Sequence, residues 1–406
     1  MTRKEFWLKV APLVASLNDG HTNMKFIGEL FEHYTNKGGT VFPLELDWQG
    51  NDVVIVANYS NNSSIVAGDK ISSINNISVT ELREHLFQFV MGEEDIFKEI
   101  LLEKHLRRWL WEIYQFEGDY ELVVKSNSQQ LKKTVKGISE KDFLNKHEAR
   151  VNAKNTAAST FTLLAEQSLA ILKLDSFEPV AKDQFIPFLE QSFTTIQQEG
   201  IKHLIIDLRE NGGGNFPYPN ALLGFITDRA IAPNLYPRME ITTSPQVKEW
   251  FQASTPWYLP WFIASFHPFF EQLSDTTGKI VNPPSELKTL ENPLRYDGKV
   301  YVLISNYTFS AASMLAVTIK DFELGTLIGE ETGGRANFYG SSYQFDLPHT
   351  GIATRVSYAQ FIRPSGKLDD KGALPDHKVN SLVEDQIAGR DTVLEFTKAL
   401  IQASAN

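Results

Sequence analysis

The chain has 406 residues, 42% of them hydrophobic and 22% charged, which is the composition of a folded globular protein with room for two or three domains. Its 39 basic and 50 acidic side chains give a net charge of −11, which argues against nucleic acid and anionic membrane surfaces as partners. There is no cysteine, so disulfides, thiolate metal sites and a cysteine nucleophile are all excluded, and no apolar run approaches the roughly 20 residues of a membrane span.

In chain order, an amphipathic helix over Phe6 to Leu17 comes first and ends in a turn made by Asn18, Asp19 and Gly20. His21 follows that turn. A histidine in a loop is commonly a solvated turn residue, but this is the one imidazole in an Asp-Gly-His-Thr context, and so the candidate general base. The opening residues, MTRKEFWLKV, read as the start of a helix rather than as a signal peptide. A second module is expected over about Gly39 to Ile138, with an alternating strand at Val53 to Val56, a turn and strand through Ile65 to Val79, and a helix from Val79 to Val90.

From about Ala153 the pattern changes. Short apolar strands at Leu169 to Leu174, Leu204 to Asp207, Val300 to Ile304 and Thr326 to Gly329 alternate with helices at Asp183–Gln198 and Ser310–Phe322, which indicates an α/β layer structure. The strand ending at Asp207 runs into Arg209 and three glycines, Gly212 to Gly214. Glycines there let backbone approach a ligand and leave N–H groups pointing into the gap. A phosphate cradle fits less well, because no Lys-Ser/Thr follows and the Gly-x-Gly-x-x-Gly spacing is missing. Ser310 stands between an apolar strand and a helix, where it reads either as an N-cap or as a nucleophile beside backbone N–H groups that stabilise negative charge. Tyr343 to Ile362 reads as a hairpin turning at His349–Gly351, and Asp391 to Gln402 as a closing helix. Trp250 to Phe270 is dense in aromatics and broken by Pro256, Pro260 and Pro268. It reads as an insertion packed on its own domain, with a lid, an apolar substrate surface or a contact in a homo-oligomer as alternatives.

Four blocks in order, Leu17 to Thr22, Asp207 to Gly214, Thr308 to Ala312 and Gly329 to Gly334, resemble the serine peptidases that include the C-terminal processing proteases and the tricorn core protease. A further stretch, Pro364 to Val379, is similar to the region near that family's C-terminal end. The resemblance implies a crotonase- or ClpP-like core over 152–406, an aromatic-rich insertion at about 235–295 and a helical segment over 1–38 that carries His21. Residues 39–140 are similar to PDZ domains in their Gly68-Asp69-x-Ile71 pattern, so Gly39, Thr40 and Val41 are weak candidates for a peptide-end cradle; against that, Pro43 lacks an N–H where a strand should donate.

Carried over residue by residue, Ser310 is the nucleophile, and the N–H groups of Ala311 and Gly213, with Gly212 next in line, form the oxyanion hole. The lysine base of the C-terminal processing branch falls on Arg335, which cannot accept a proton, so the base is the tricorn-like His21. Its orienting carboxylate falls on Asp369, with Asp370 and Asp19 as alternatives. The resemblance implies a polypeptide substrate, no cofactor or metal, and an extracytoplasmic location. The competing implication is a non-catalytic carrier of apolar, retinoid-like ligands on the same scaffold.

Overall fold

The computed structural model describes the chain apart from residues 27, 51, 127–128, 152–158, 179–181, 231–234, 237, 243, 247–279, 283–290 and 405–406. The aromatic stretch 250–270 thus lies outside the described residues.

The fold is mixed α/β. Its central sheet has six strands in the order Ser159–Leu164, Leu169–Leu174, His203–Asp207, Lys299–Ile304, Thr326–Gly329 and His377–Lys378. The first pair is antiparallel and every later pairing is parallel. Such a sheet is buried on both faces, and the side chains show it. Leu204, Ile206, Val300, Val302 and Ile304 join a large core with Met314, Leu315 and Ile319 of the helix Ala311–Asp321. The alternate residues Ile205, Tyr301, Leu303 and Ile328 pack against Val393 and Ile401 of the helix Thr392–Ser404. The period-2 alternation therefore decides which helix layer each residue meets, not whether it is buried.

Residues 40–139 hold a separate antiparallel sheet, ordered Leu44–Gln49, Asp52–Asn58, Lys70–Ile74, Asp119–Ser126 and Gln129–Lys136, with Ile77–Ser78 beside Lys70–Ile74. The expected helix is present as Val79–Phe87, capped by the Ser78 side chain. A β-rich reading of this region passes over the 20-residue helix Asp95–Tyr114, whose Leu102, Leu106 and Leu110 repeat at four-residue intervals into the core. The N-terminal helix Arg3–Ala15 closes the same core with Trp7 and Ala11.

A third sheet brings distant segments together. The hairpin is longer than expected, Phe338–Asp346 with Ala353–Ile362, because its first strand starts five residues earlier. The two-residue strand Asn23–Met24 adds to its edge, Asn23 opposite Arg355 and Met24 opposite Thr354. Thr22 extends the attachment by accepting the Ser357 N–H at 3.0 Å. Among the described residues no helix is long and apolar enough to cross a membrane.

Candidate active site

The site lies at the carboxyl ends of two adjacent parallel strands, where loops of open α/β sheets converge. Because Asp207 stands opposite Leu303, the glycine loop and the Ser310 turn leave the sheet side by side. Cross-bonds lock them: Ser305 Oγ donates to Arg209 O at 2.6 Å, Thr308 Oγ1 to Leu208 O at 2.9 Å, and the Phe309 N–H to Asn211 O at 3.1 Å.

Ser310 sits at the N-cap position of Ala311–Asp321, yet its side chain caps nothing. Its backbone is strained, with φ 51° and ψ −126°, a region that side-chain-bearing residues rarely occupy and that clusters at functional sites. The strained turn aims Oγ at His21, whose Nε2 lies 2.9 Å away across 289 residues of sequence. The strand pairing of Asn23–Met24 with Ala353–Ile362 places His21 there. Phe309 stacks on one side of the imidazole at 4.8 Å between ring centroids, and Phe338 stacks on it at 5.5 Å. Burial holds His21 below its ordinary 6.5, against the opposing pull of Asp19 and the Tyr339 backbone, while Arg355 lowers it further. The ring is therefore neutral at pH 7, the state a general base requires.

Not every carried-over role fits the geometry. Asp369 is engaged elsewhere: Arg363 Nη1 donates to it at 3.4 Å and Lys367 Nζ pairs with it at 2.9 Å, and no hydrogen bond joins it to His21. Asp370 is exposed and lies 3.6 Å from Arg335. Asp19 comes within 4.0 Å of His21 Nδ1, but its oxygens already accept the His21 backbone N–H at 2.9 Å and the Thr22 hydroxyl at 2.5 Å. Arg335, at the position of the absent lysine, gives its Nε–H to Glu94 at 2.9 Å.

The glycine loop also departs from expectation. Gly213 does press on the nucleophile, since a Cβ there would fall 2.7 Å from Ser310 Cβ. Its N–H, however, donates to Asn211 Oδ1 at 2.9 Å, and Asn211 is fully buried with Nδ2 fixed on Leu174 O at 3.0 Å. Among the described residues the Ala311 and Gly212 N–H groups meet no protein acceptor.

The cradle expected at Gly39 to Val41 is closed. Tyr34 Oη accepts the Thr40 N–H at 3.0 Å and donates to Thr40 O at 2.8 Å, and Thr40–Val41 already pairs with Ile138–Ser139. Phe309, Phe338 and Asn211 carry no motif that marks a function, although Asn211 falls inside the Asp-Leu-Arg-x-Asn block.

Comparison with known proteins supplies the family. The sequence model of peptidase family S41 matches residues 168–379, more than half of the chain. The chain belongs to peptidase family S41. Its match to the tail-specific protease of Haemophilus influenzae is 22% identical over 249 residues, 60% of this chain and 29% of that relative. The chain thus spans under a third of the length of that curated relative. The structure of mature CPAF complexed with lactacystin superposes with a TM-score of 0.68 at 15% identity, covering 100% of this chain and 89% of that one. Mature CPAF gives 0.67 at 14%, covering 98% and 87%. At such identities these two show the shared fold, here over nearly the full length of both chains.

Proposed function

We propose that this S41 protein is a serine peptidase in which Ser310 attacks the scissile carbonyl and His21 acts as general base. The observation that carries the reading is the 2.9 Å contact between His21 Nε2 and Ser310 Oγ, made from a strained serine that performs no capping. With a proton on Nδ1, Nε2 accepts the Ser310 hydroxyl proton as Oγ bonds to the carbonyl carbon. Such proton transfer contributes about 10²–10⁴-fold. The developing oxyanion faces the start of a helix, where the Ala311 N–H has no acceptor among the described residues. Gly212 offers an N–H on the facing loop that has no acceptor among the described residues, while Gly213 serves by its lack of a side chain. Each donor of this kind contributes about 10²–10³-fold. His21 then returns its proton to the leaving amine, and water repeats the sequence on the acyl-enzyme.

Substrates on this reading are unfolded or tail-presenting polypeptides, in line with the name of the tail-specific protease relative. We read residues 39–140 as a PDZ-like unit that presents them, with its cradle elsewhere than Gly39 to Val41, and residues 152–406 as the crotonase-like peptidase core. The family resemblance favours an extracytoplasmic location. The test is hydrolysis of casein and of fluorogenic peptides by the wild type, Ser310→Ala and His21→Ala. Both variants are expected to lose activity while keeping the wild-type melting temperature. Full activity in Ser310→Ala would overturn the proposal.

A further inference from the structure

Among the described residues no carboxylate is hydrogen-bonded to the ring of the base. His21 Nδ1 is buried and, among the described residues, makes no well-formed hydrogen bond, the Tyr339 backbone pulling on the ring only weakly; Asp19 stands 4.0 Å away with its oxygens engaged, and Asp369 and Asp370 are paired with basic side chains. A second unsatisfied atom lies in the same place. Glu93 Oε2 is buried without a partner among the described residues, and one carboxylate oxygen each of Asp19 and Glu93 and a ring nitrogen of His21 lie within 4.8 Å of one another, close enough for a small side-chain movement to join Glu93 to the ring. An orphaned ring N–H and an orphaned carboxylate oxygen are complementary, and leaving both unpaired is costly.

The backbone is built to bring this carboxylate in. Glu93 Oε1 accepts the Gly20 N–H at 3.3 Å, immediately before His21. A Cβ on residue 20 would fall 3.1 Å from Glu93 Oε2 and 2.5 Å from Phe309 Cζ, so the glycine of the Asp-Gly-His block makes room for Glu93 and for the ring that stacks on His21. The neighbouring Glu94 holds Arg335, which anchors the same loop to the core.

We infer that Glu93 is the positioning carboxylate of this site, taking a hydrogen bond from His21 Nδ1–H as Nε2 receives the Ser310 proton. No proton passes to Glu93; its charge answers the imidazolium and fixes the tautomer, and the hydrogen bond forms as that charge develops. This rests on the Ser310–His21 reading. Burial, with Asp19 adding to it, lifts Glu93 to about 7, opposed by its own and Gly20's backbone N–H groups and by Arg335. Besides Glu93, whose carboxyl is charged above about pH 7, the charged groups that act on His21 are Asp19, which favours the imidazolium, and Arg355, which opposes it. Glu93 lies in the stretch joining Val79–Phe87 to Asp95–Tyr114, so residues 40–139 supply part of the site.

The test is the pH profile of kcat/KM on one fluorogenic peptide for the wild type, Glu93→Gln, Glu93→Asp and Asp369→Asn, each with its melting temperature. Glu93→Gln should lose about 10²-fold in kcat or more with little change in KM, and its acid limb should move to lower pH. Glu93→Asp should recover part of the loss, and Asp369→Asn should keep the wild-type profile. If Glu93→Gln keeps the wild-type rate and profile while Ser310→Ala and His21→Ala are inactive, Glu93 has no such role but the nucleophile and base stand. Activity in Ser310→Ala would refute both together.

Discussion

Replacing Gly213 by alanine perturbs the site at its tightest backbone contact. The new Cβ would lie 2.7 Å from Ser310 Cβ and 2.9 Å from Phe309 O, where ordinary contact begins at 3.4 Å. The residue also holds φ +104°, a conformation that alanine adopts only under strain. Backbone strain of this kind costs about 1–3 kcal/mol, and overpacking a further 1–3 kcal/mol. A loss of about 2–6 kcal/mol is therefore expected, which a protein in the upper part of the usual range of about 5–15 kcal/mol survives. Relief requires Ser310 to retreat by something approaching an ångström, and a displacement of that size costs about 10²-fold in rate. Denaturant melts give the first quantity and kcat/KM on a fluorogenic peptide the second. A Gly213→Ala protein with wild-type stability and wild-type kcat/KM would refute the packing account of this loop.

Asn211→Ala removes the buried acceptor of the Gly213 N–H, so about 2–4 kcal/mol of destabilisation is expected in denaturant melts, with lowered activity. The acid limb of kcat/KM in Glu93→Gln should fall below pH 6.5, because His21 must be neutral and burial lowers its pKa; a limb above 6.5 would contradict the assigned base. Stability offers an independent check on Glu93. Its carboxyl is raised from an ordinary 4.5 to about 7, so the folded state keeps its proton where the unfolded chain has lost it. Wild-type stability from this group is then greatest below 4.5 and falls as pH rises through 7. Glu93→Gln should accordingly raise the melting temperature at pH 8 more than at pH 5, by an amount equivalent to at most about 3 kcal/mol and less after solvent screening.

Much of this architecture is legible in the sequence. The alternating strands and helices beyond residue 153 each carry a strong local signal, and the loops that follow them had to converge because parallel neighbours end together. Ser310 alone is ambiguous in sequence between cap and nucleophile, since both roles put a serine at a helix start; its torsion angles and a hydroxyl that turns to His21 instead of capping separate them. The meeting of His21 with Ser310 depends on Asn23–Met24, a strand of two residues that is far too short to show periodicity. Asp369 stands where the motif puts a carboxylate, but position in a motif says nothing of Arg363 and Lys367 competing for the same oxygens. The Gly213 N–H was likewise assigned by position, and the carboxamide two residues before it claims that donor. Glu93 follows Gly92 in an unremarkable acidic pair, and nothing local says that it reaches back to Gly20.

The most direct test is labelling by a fluorophosphonate, read by intact mass and peptide mapping at pH 7 for the wild type and His21→Ala. The adduct should map to Ser310, and its rate should fall about 10²-fold or more without the imidazole. An adduct on another residue, or wild-type labelling of Ser310 in His21→Ala, would contradict the pairing of these two side chains as nucleophile and base.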